Sequence, residues 1–221
     1  MGLRHAVDRR GVARHASEPF GRAVRWLSVC ALAALLQACA TRGVQQLPLL
    51  TDWPTRERVM GALDVWSLRG RIGIRTPEDS SSGNLFWVQD RRQFDAQIDG
   101  PLGIGGVQLE GDPDRVTLSG SRIETRTVND PSTELFRQTG LRVPIEGLRY
   151  WLLGVPMPDA PADVTMGAEG LPSAIQQSGW TISYKEYRRW TLNELPRRII
   201  AESGDTKLTI VVRDWDIREQ A

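Results

Sequence analysis

Residues 66–74 read WSLRGRIGI, and this stretch decides the fold because its large apolar side chains fall at alternate positions. Successive side chains of a strand point to opposite faces of a sheet, so the alternation predicts a strand with one buried and one wet face. Sheets that are wet on one side are typically antiparallel. The apolar members of the stretch are Trp66, Leu68, Ile72 and Ile74.

The same period of two recurs along the next part of the chain. Turn-forming sequences separate the repeats, namely PEDSSSGN, QDRRQ, EGDPD and LSGS. Short connections between successive strands imply antiparallel hairpins, so a meander is predicted. The strands are expected at residues 85–89, 94–98, 107–110, 115–119 and 122–128.

Three helices are predicted outside this pattern. The first covers residues 55–62, ahead of the first strand. The second starts at Asp130 and Pro131 and ends before Gly140, because proline favours the first turn of a helix and glycine favours its end. The third covers residues 144–153, where apolar residues fall on adjoining turns.

Strands are predicted again in the C-terminal part of the chain. A proline-rich loop at residues 155–163 comes first, and strands resume at Trp180, near Ile199 and at residues 207–217. Eight or more strands cannot stay flat, because their twist accumulates until the sheet curls or closes. Helices then either fill the concave apolar face as a solid core or leave a cavity there. Periodicity leaves both possibilities open.

Residues 1–38 have the pattern of an export signal. Six arginines precede an uncharged run at residues 26–36, which is about half of the roughly 20 residues that a spanning helix needs. The run ends in LQAC, which resembles the lipobox of bacterial lipoproteins except at Gln37. Cys39 is therefore predicted to carry lipid and to begin a tether that covers residues 39–54. The alternative is an ordinary secretory signal with a cysteine there by chance.

The composition of the mature chain argues against several classes of function. Loss of the signal removes six arginines and two acidic residues, which changes the formal net charge from +1 to −3. Nucleic-acid binding is not expected at that charge. Both histidines, His5 and His15, precede Cys39, which is the last cysteine of the sequence. Histidine-assisted nucleophiles and cysteine or histidine zinc sites are therefore excluded, and we predict no metal and no cofactor.

Five segments, taken in order, resemble the outer-membrane lipoprotein receptor family called LolB. A lipobox, a tether and a short helix precede them, and the resemblance extends over nearly the whole mature chain. The departures are Gln37 in the lipobox and the glycine-rich GIGG at residues 103–106. The segments are WSLRGRI at 66–72, SGNLFW at 82–87, GPLG at 100–103, LRVPIEGLRYWLLGVP at 141–156 and the tryptophan segment at 214–217.

The resemblance implies a mainly β fold, a half-open antiparallel β-barrel in which helices cover an apolar cavity. It implies a monomer with a single lipoprotein-binding domain at residues 55–221, anchored by lipid to the outer membrane and facing the periplasm. Such a protein is not an enzyme. It receives cargo lipoproteins from the periplasmic carrier LolA, holds their acyl chains in the cavity and inserts them into outer-membrane lipid.

Two groups of site residues are predicted on this basis. The loop at residues 99–106 is expected to contact the membrane through Leu102, together with Pro101, Gly103 and Ile104. The tendency of apolar side chains to be buried favours a loop in which Leu102 and Ile104 fold back against the domain. The resemblance favours the opposite arrangement, in which they face the membrane. The cavity wall is expected to include Trp66, Leu68, Ile72, Ile74, Trp87, Phe94, Ile98, Leu135, Phe136, Leu148 and Trp151.

Two alternative functions compete with this interpretation. A cell-wall hydrolase would act through carboxylates such as Glu110, Asp112 or Glu146, and it would need two acids that face one groove, one with a raised pKa. A lipoprotein that binds small apolar molecules, or that scaffolds an outer-membrane complex, would share the cavity but form no complex with a lipoprotein carrier.

Overall fold

The computed structural model describes residues 50, 52–100, 106–121, 123–139, 143–190 and 193–217. These residues lie within one compact unit, Val44–Ala221. They form one antiparallel sheet of eleven strands. The strands are β1 (Val65–Arg75), β2 (Ser80–Asp90), β3 (Gln93–Asp99), β4 (Val107–Asp112), β5 (Arg115–Gly120), β6 (Ile123–Val128), β7 (Ala162–Met166), β8 (Pro172–Gln177), β9 (Trp180–Trp190), β10 (Asn193–Ser203) and β11 (Thr206–Ile217).

The sheet is unclosed, and its middle is made by the first and last strands of the chain. The spatial order is β6-β5-β4-β3-β2-β1-β11-β10-β9-β8-β7, so β6 and β7 are the two edges. In the central pair, Ile72 lies opposite Ile210 and Ile74 lies opposite Leu208. The meander predicted for the first six strands is therefore confirmed. The pairing of β1 with β11 joins it to a second meander.

A β-bulge in this central pair keeps the apolar side chains of both strands on the inner face. Arg69 pairs with Asp214 and Gly70 pairs with Val212, which leaves Arg213 as the extra residue of β11. A Cβ atom on Gly70 would lie 2.5 Å from the carbonyl oxygen of Val211, so this close approach requires glycine.

Three helices are present in the described residues, and all three were predicted. They are α1 (Trp53–Gly61), α2 (Pro131–Thr139) and α3 (Ile145–Leu153). Helix α1 begins two residues earlier than expected, because the Asp52 side chain caps it by accepting a hydrogen bond of 2.9 Å from the Thr55 amide. Helix α3 ends at Gly154, whose φ of 78° is the left-handed conformation that glycine adopts readily. None of the three is long and apolar enough to cross a membrane.

Two strands were missed by the sequence interpretation, and one turn was predicted too long. The end of the expected loop at residues 155–163 belongs to β7, and β8 was not predicted at all. Residues 162–166 alternate between apolar and polar side chains, but β7 has only five residues, follows the proline-rich segment and leaves most of its side chains exposed at the edge of the sheet. Residues 80–84 were assigned to a turn, but they extend β2 as a polar segment.

The tryptophans are mostly buried on the inner face of the sheet. At one end of the core, Trp66 stacks on Trp87 with ring centroids 6.1 Å apart, and Trp87 stacks on Phe94 at 5.5 Å. In the other half of the sheet, Trp151 of α3 contacts Trp180 at 6.2 Å. Aromatic pairs at these distances add to the stabilisation that burial alone provides.

The buried side chain of Gln177 fastens the C-terminal end of α3 to the sheet. Its amide oxygen accepts hydrogen bonds from Trp151 Nε1 (2.9 Å) and from the backbone amide of Met157 (2.8 Å). Its amide nitrogen donates to the carbonyl oxygens of Met157 (2.8 Å) and Ala160 (3.0 Å). A single glutamine thus satisfies four polar groups at the edge of the core.

We therefore expect Gln177→Leu to lower the free energy of unfolding by about 2 to 5 kcal/mol, because two donors lose their acceptor. Urea denaturation followed by tryptophan fluorescence measures this change. The matched control is Gln176→Leu on the exposed face of the same strand, for which we expect less than about 0.5 kcal/mol. Equal effects of the two substitutions would contradict this role of Gln177.

Candidate functional site

An apolar cavity lies between the inner face of the sheet and helices α2 and α3. Its volume is ≈ 60 Å³, and every side chain that lines it is apolar. The sheet contributes residues of β1 to β4 and β11, and the other wall consists of α2, α3 and Val143 between them. The lining residues are Ile72, Ile74, Leu85, Trp87, Ala96, Ile98, Leu109, Leu135, Val143, Ile145, Leu148, Leu152, Leu208 and Ile210.

Six of the eleven predicted wall residues line this cavity. They are Ile72, Ile74, Trp87, Ile98, Leu135 and Leu148.

Four other predicted wall residues are buried in the core around the cavity without lining it. Trp66 and Leu68 share a face with Ile72 but lie farther along β1, where Trp66 packs edge-on against Trp215 at 5.4 Å. Phe94 lies beyond Trp87 in the aromatic stack, and Trp151 faces the half of the core that contains Trp180.

Phe136 is placed differently from the prediction, with 36% of its surface exposed. Neighbouring residues of a helix point about 100° apart, and here Leu135 lines the cavity while Phe136 does not. The choice between the two was not visible in the sequence, because both are large and apolar.

The sequence analysis did not predict eight of the lining residues. For about half of them, the sequence contains a pattern that indicates an inward-facing position. Leu85 and Ala96 follow the period of two around Trp87 and Ile98, and Ile145 and Leu152 lie on the apolar side of the predicted third helix. Leu208 and Ile210 come from the last strand. Their position depends on the pairing of β1 with β11, which no local pattern specifies.

The cavity is narrow in this structure and is most exposed at one end of the sheet. A water-sized sphere occupies about 10 to 15 Å³, so a volume of 60 Å³ holds roughly five such spheres. A long acyl chain has many more methylenes than that, so the cavity is too small for a whole chain. Ile74, Ile98 and Leu148 are half-buried members of its lining. The connection between β3 and β4 leaves the sheet at this end, directly after Ile98 and Asp99. We call this end of the cavity the mouth.

Several predicted site residues lie outside the described residues. They are Cys39 and the loop residues Pro101, Leu102, Gly103 and Ile104.

The carboxylates considered for a hydrolase lie at a turn or at the exposed surface. Asp112 is half-buried at the β4–β5 turn, and the backbone amide of Asp114, 2.9 Å from its Oδ1, lowers the pKa of Asp112. Glu110 and Glu146 are exposed. Among the described residues, no group of histidine, cysteine, aspartate and glutamate is arranged to hold a metal ion.

A buried arginine on α1 lies outside the cavity and fastens this helix to β9 and β10. Arg56 is 2% exposed, donates a hydrogen bond to the carbonyl oxygen of Glu194, and places its guanidinium carbon 6.0 Å from the centre of the Tyr187 ring. Burial lowers the pKa of Arg56 and raises the pKa of Tyr184 and Tyr187. None of these three residues lines the cavity.

Comparison with known proteins points to one family. The sequence model of the family described as "Outer membrane lipoprotein LolB" matches residues 64–215. An outer-membrane lipoprotein LolB from Pseudomonas savastanoi pv. phaseolicola is 33% identical over 200 residues, which covers 89% of this chain and 98% of the relative. A LolB from Pseudomonas aeruginosa strain LESB58 is 33% identical over 197 residues, covering 89% of this chain and 94% of the relative.

A solved structure shares the fold at low sequence identity. A LolA superfamily protein from Nitrosomonas europaea superposes with a TM-score of 0.52 at 8% identity, over 78% of this chain and 96% of that one. The similarity confirms the prediction of an unclosed antiparallel sheet with covering helices.

Proposed function

Because the chain belongs to the outer-membrane lipoprotein LolB family, we propose that it accepts lipoproteins from the periplasmic carrier LolA and inserts them into the outer membrane. It is a lipoprotein-localisation protein of the outer membrane and not an enzyme. The observation that supports the proposal most strongly is the cavity, since all of its lining side chains are apolar. A lining of this kind suits acyl chains and offers no partner to a polar substrate.

The energetic need for such a cavity is large. Exposing one long acyl chain to water costs on the order of 10 kcal/mol, at about 0.8 kcal/mol for each methylene. A lipoprotein therefore needs an apolar site at every stage between two membranes. Because the cavity is smaller than one acyl chain in this structure, it widens as cargo enters. Transfer needs no nucleotide, since cargo moves to whichever apolar site binds it more tightly.

The anchor of the protein is part of the same proposal. The lipid on Cys39 holds the domain at the membrane that receives the cargo, with residues 1–38 removed as the signal and residues 39–54 acting as the tether. Mass spectrometry of the protein extracted from membranes should find the lipid mass on Cys39 at the mature N-terminus. A mature protein that still contains residues 22–38 would contradict the anchor.

A photoreactive amino acid tests whether the cavity holds the acyl chains. Ile74 and Arg75 are neighbours on β1, but Ile74 lines the cavity and Arg75 is exposed on the opposite face. Placed at position 74, the photoreactive residue should crosslink to the acyl chains of a bound lipoprotein, and at position 75 it should not. Equal crosslinking at the two positions would contradict the assignment of the cavity.

A further inference from the structure

A second, smaller pocket lies behind the apolar cavity, at the end of the sheet opposite the mouth. We call it the rear pocket, and its volume is ≈ 20 Å³. It is formed near the β2–β3 and β4–β5 turns, where Arg92 and Pro113 lie. Trp87 and Ile145 line both the cavity and the rear pocket, so these two side chains form the wall between them.

This wall is held in place by its neighbours. The Trp87 ring is stacked between Trp66 and Phe94, with ring centroids 6.1 and 5.5 Å away. Its indole nitrogen donates a hydrogen bond of 3.2 Å to Gln89 Oε1. Rotation of the Trp87 side chain would break both the stack and this bond. Ile145 is 5% exposed and is the first residue of α3.

The rear pocket is mainly apolar next to the wall and charged at its rim, and the buried amide of Gln89 also lines it. Phe94, Val116 and Pro131 are apolar members of its lining. The rim contains Arg92, which pairs with Asp114 at 2.5 Å, together with Glu146 and Arg149. An acyl chain that passed the wall would therefore meet mainly apolar side chains, because both polar atoms of the Gln89 side chain are already hydrogen-bonded.

Cargo geometry determines which end of an acyl chain reaches the wall. The acyl chains are attached to the N-terminus of a lipoprotein, whose folded part is too large to enter and stays outside the mouth. The methyl ends of the chains therefore point inwards, towards Trp87 and Ile145.

We propose that Trp87 and Ile145 are the floor of the cavity and limit the length of acyl chain that it holds. This inference rests on the proposed function, because it concerns the same cavity. A chain whose methyl end reaches the floor gains nothing from further methylenes, which remain at the mouth. Removing the floor joins the cavity to the rear pocket and lets longer chains bury their ends.

The test measures the binding of saturated fatty acids from lauric to arachidic acid by the mature chain, in competition with the fluorescent fatty acid cis-parinaric acid. In Ile145→Ala the affinity for arachidate relative to palmitate should rise, by up to about fourfold for each added methylene that finds space. Trp87→Phe keeps a ring in the stack and should shift the ratio in the same direction. Circular dichroism establishes that each variant is folded.

The matched control is Leu153→Ala, which also removes a buried side chain of α3 but one that lines neither the cavity nor the rear pocket. It leaves both the cavity lining and the floor in place, so the arachidate-to-palmitate ratio should stay at the wild-type value. An equal rise in Leu153→Ala, or an unchanged ratio in the folded Ile145→Ala and Trp87→Phe variants, would overturn the inference while leaving the proposed function intact. Failure of the wild type to bind any of these fatty acids would refute both.

Discussion

Replacing Leu148 with glutamate should reduce acceptance of lipoprotein cargo by at least about 100-fold while the domain stays folded. Leu148 is a half-buried lining residue of the cavity. In the empty protein the new carboxylate can therefore reach water from the mouth, and the folding cost is small. When an acyl chain enters, that carboxylate loses its water and has no partner, which costs several kcal/mol.

The measurement is the fraction of labelled lipoprotein that moves from LolA to each variant in solution, alongside its melting temperature. Tyr150→Glu is the matched control, because Tyr150 is half-buried on the same helix but does not line the cavity. It should accept cargo as the wild type does. Wild-type acceptance by Leu148→Glu, or a domain that no longer folds, would contradict the assignment of this position to the acyl-chain wall.

Replacing Leu102 with glutamate should slow the release of cargo into lipid vesicles by about 10- to 100-fold and leave acceptance from LolA nearly unchanged. Leu102 is in the connection between β3 and β4, which leaves the sheet at the mouth. An apolar side chain of this size adds about 1.5 to 3 kcal/mol of membrane affinity, too little to anchor a protein. If the domain is tethered through Cys39 as proposed, we expect this affinity to be enough to turn the mouth towards the bilayer.

Leu102→Met separates this role from a general effect of changing the loop, because methionine keeps the apolar character and should release cargo normally. The assay follows labelled lipoprotein from the loaded mature chain into vesicles of phosphatidylethanolamine and phosphatidylglycerol. Two results would contradict the membrane-contact role of Leu102. One is release of cargo by Leu102→Glu at the wild-type rate, and the other is a Leu102→Glu variant that is unfolded at the temperature of the assay.

Much of the fold was predictable from the sequence because local patterns specify it. The alternation in β1 identified the inner face, and all three helices carried proline or glycine signals at their ends. Strands β7 and β8 were missed, because β7 is a run of only five residues and β8 has no regular alternation. They are joined to the sheet by backbone hydrogen bonds, and β7 in particular buries few side chains.

The cavity was less predictable than the fold, because it is formed by residues that are distant in sequence. Leu208 and Ile210 of β11 line it beside Ile74 and Ile72 of β1, and this placement depends on the pairing of the first strand with the last. Sequence patterns identified the apolar face of the sheet. They did not indicate which part of that face is packed as solid core and which part lines the cavity. That limit depends on how the rings of Trp66, Trp87 and Phe94 stack.

The most direct test of the proposed function is transfer between purified components. Labelled lipoprotein bound to LolA is mixed with the mature chain in the absence of nucleotide, and the two proteins are then separated. We predict that the lipoprotein leaves LolA, copurifies with this chain and appears in vesicles when these are added. Lipoprotein that stays on LolA at every concentration of the folded chain would contradict the proposal.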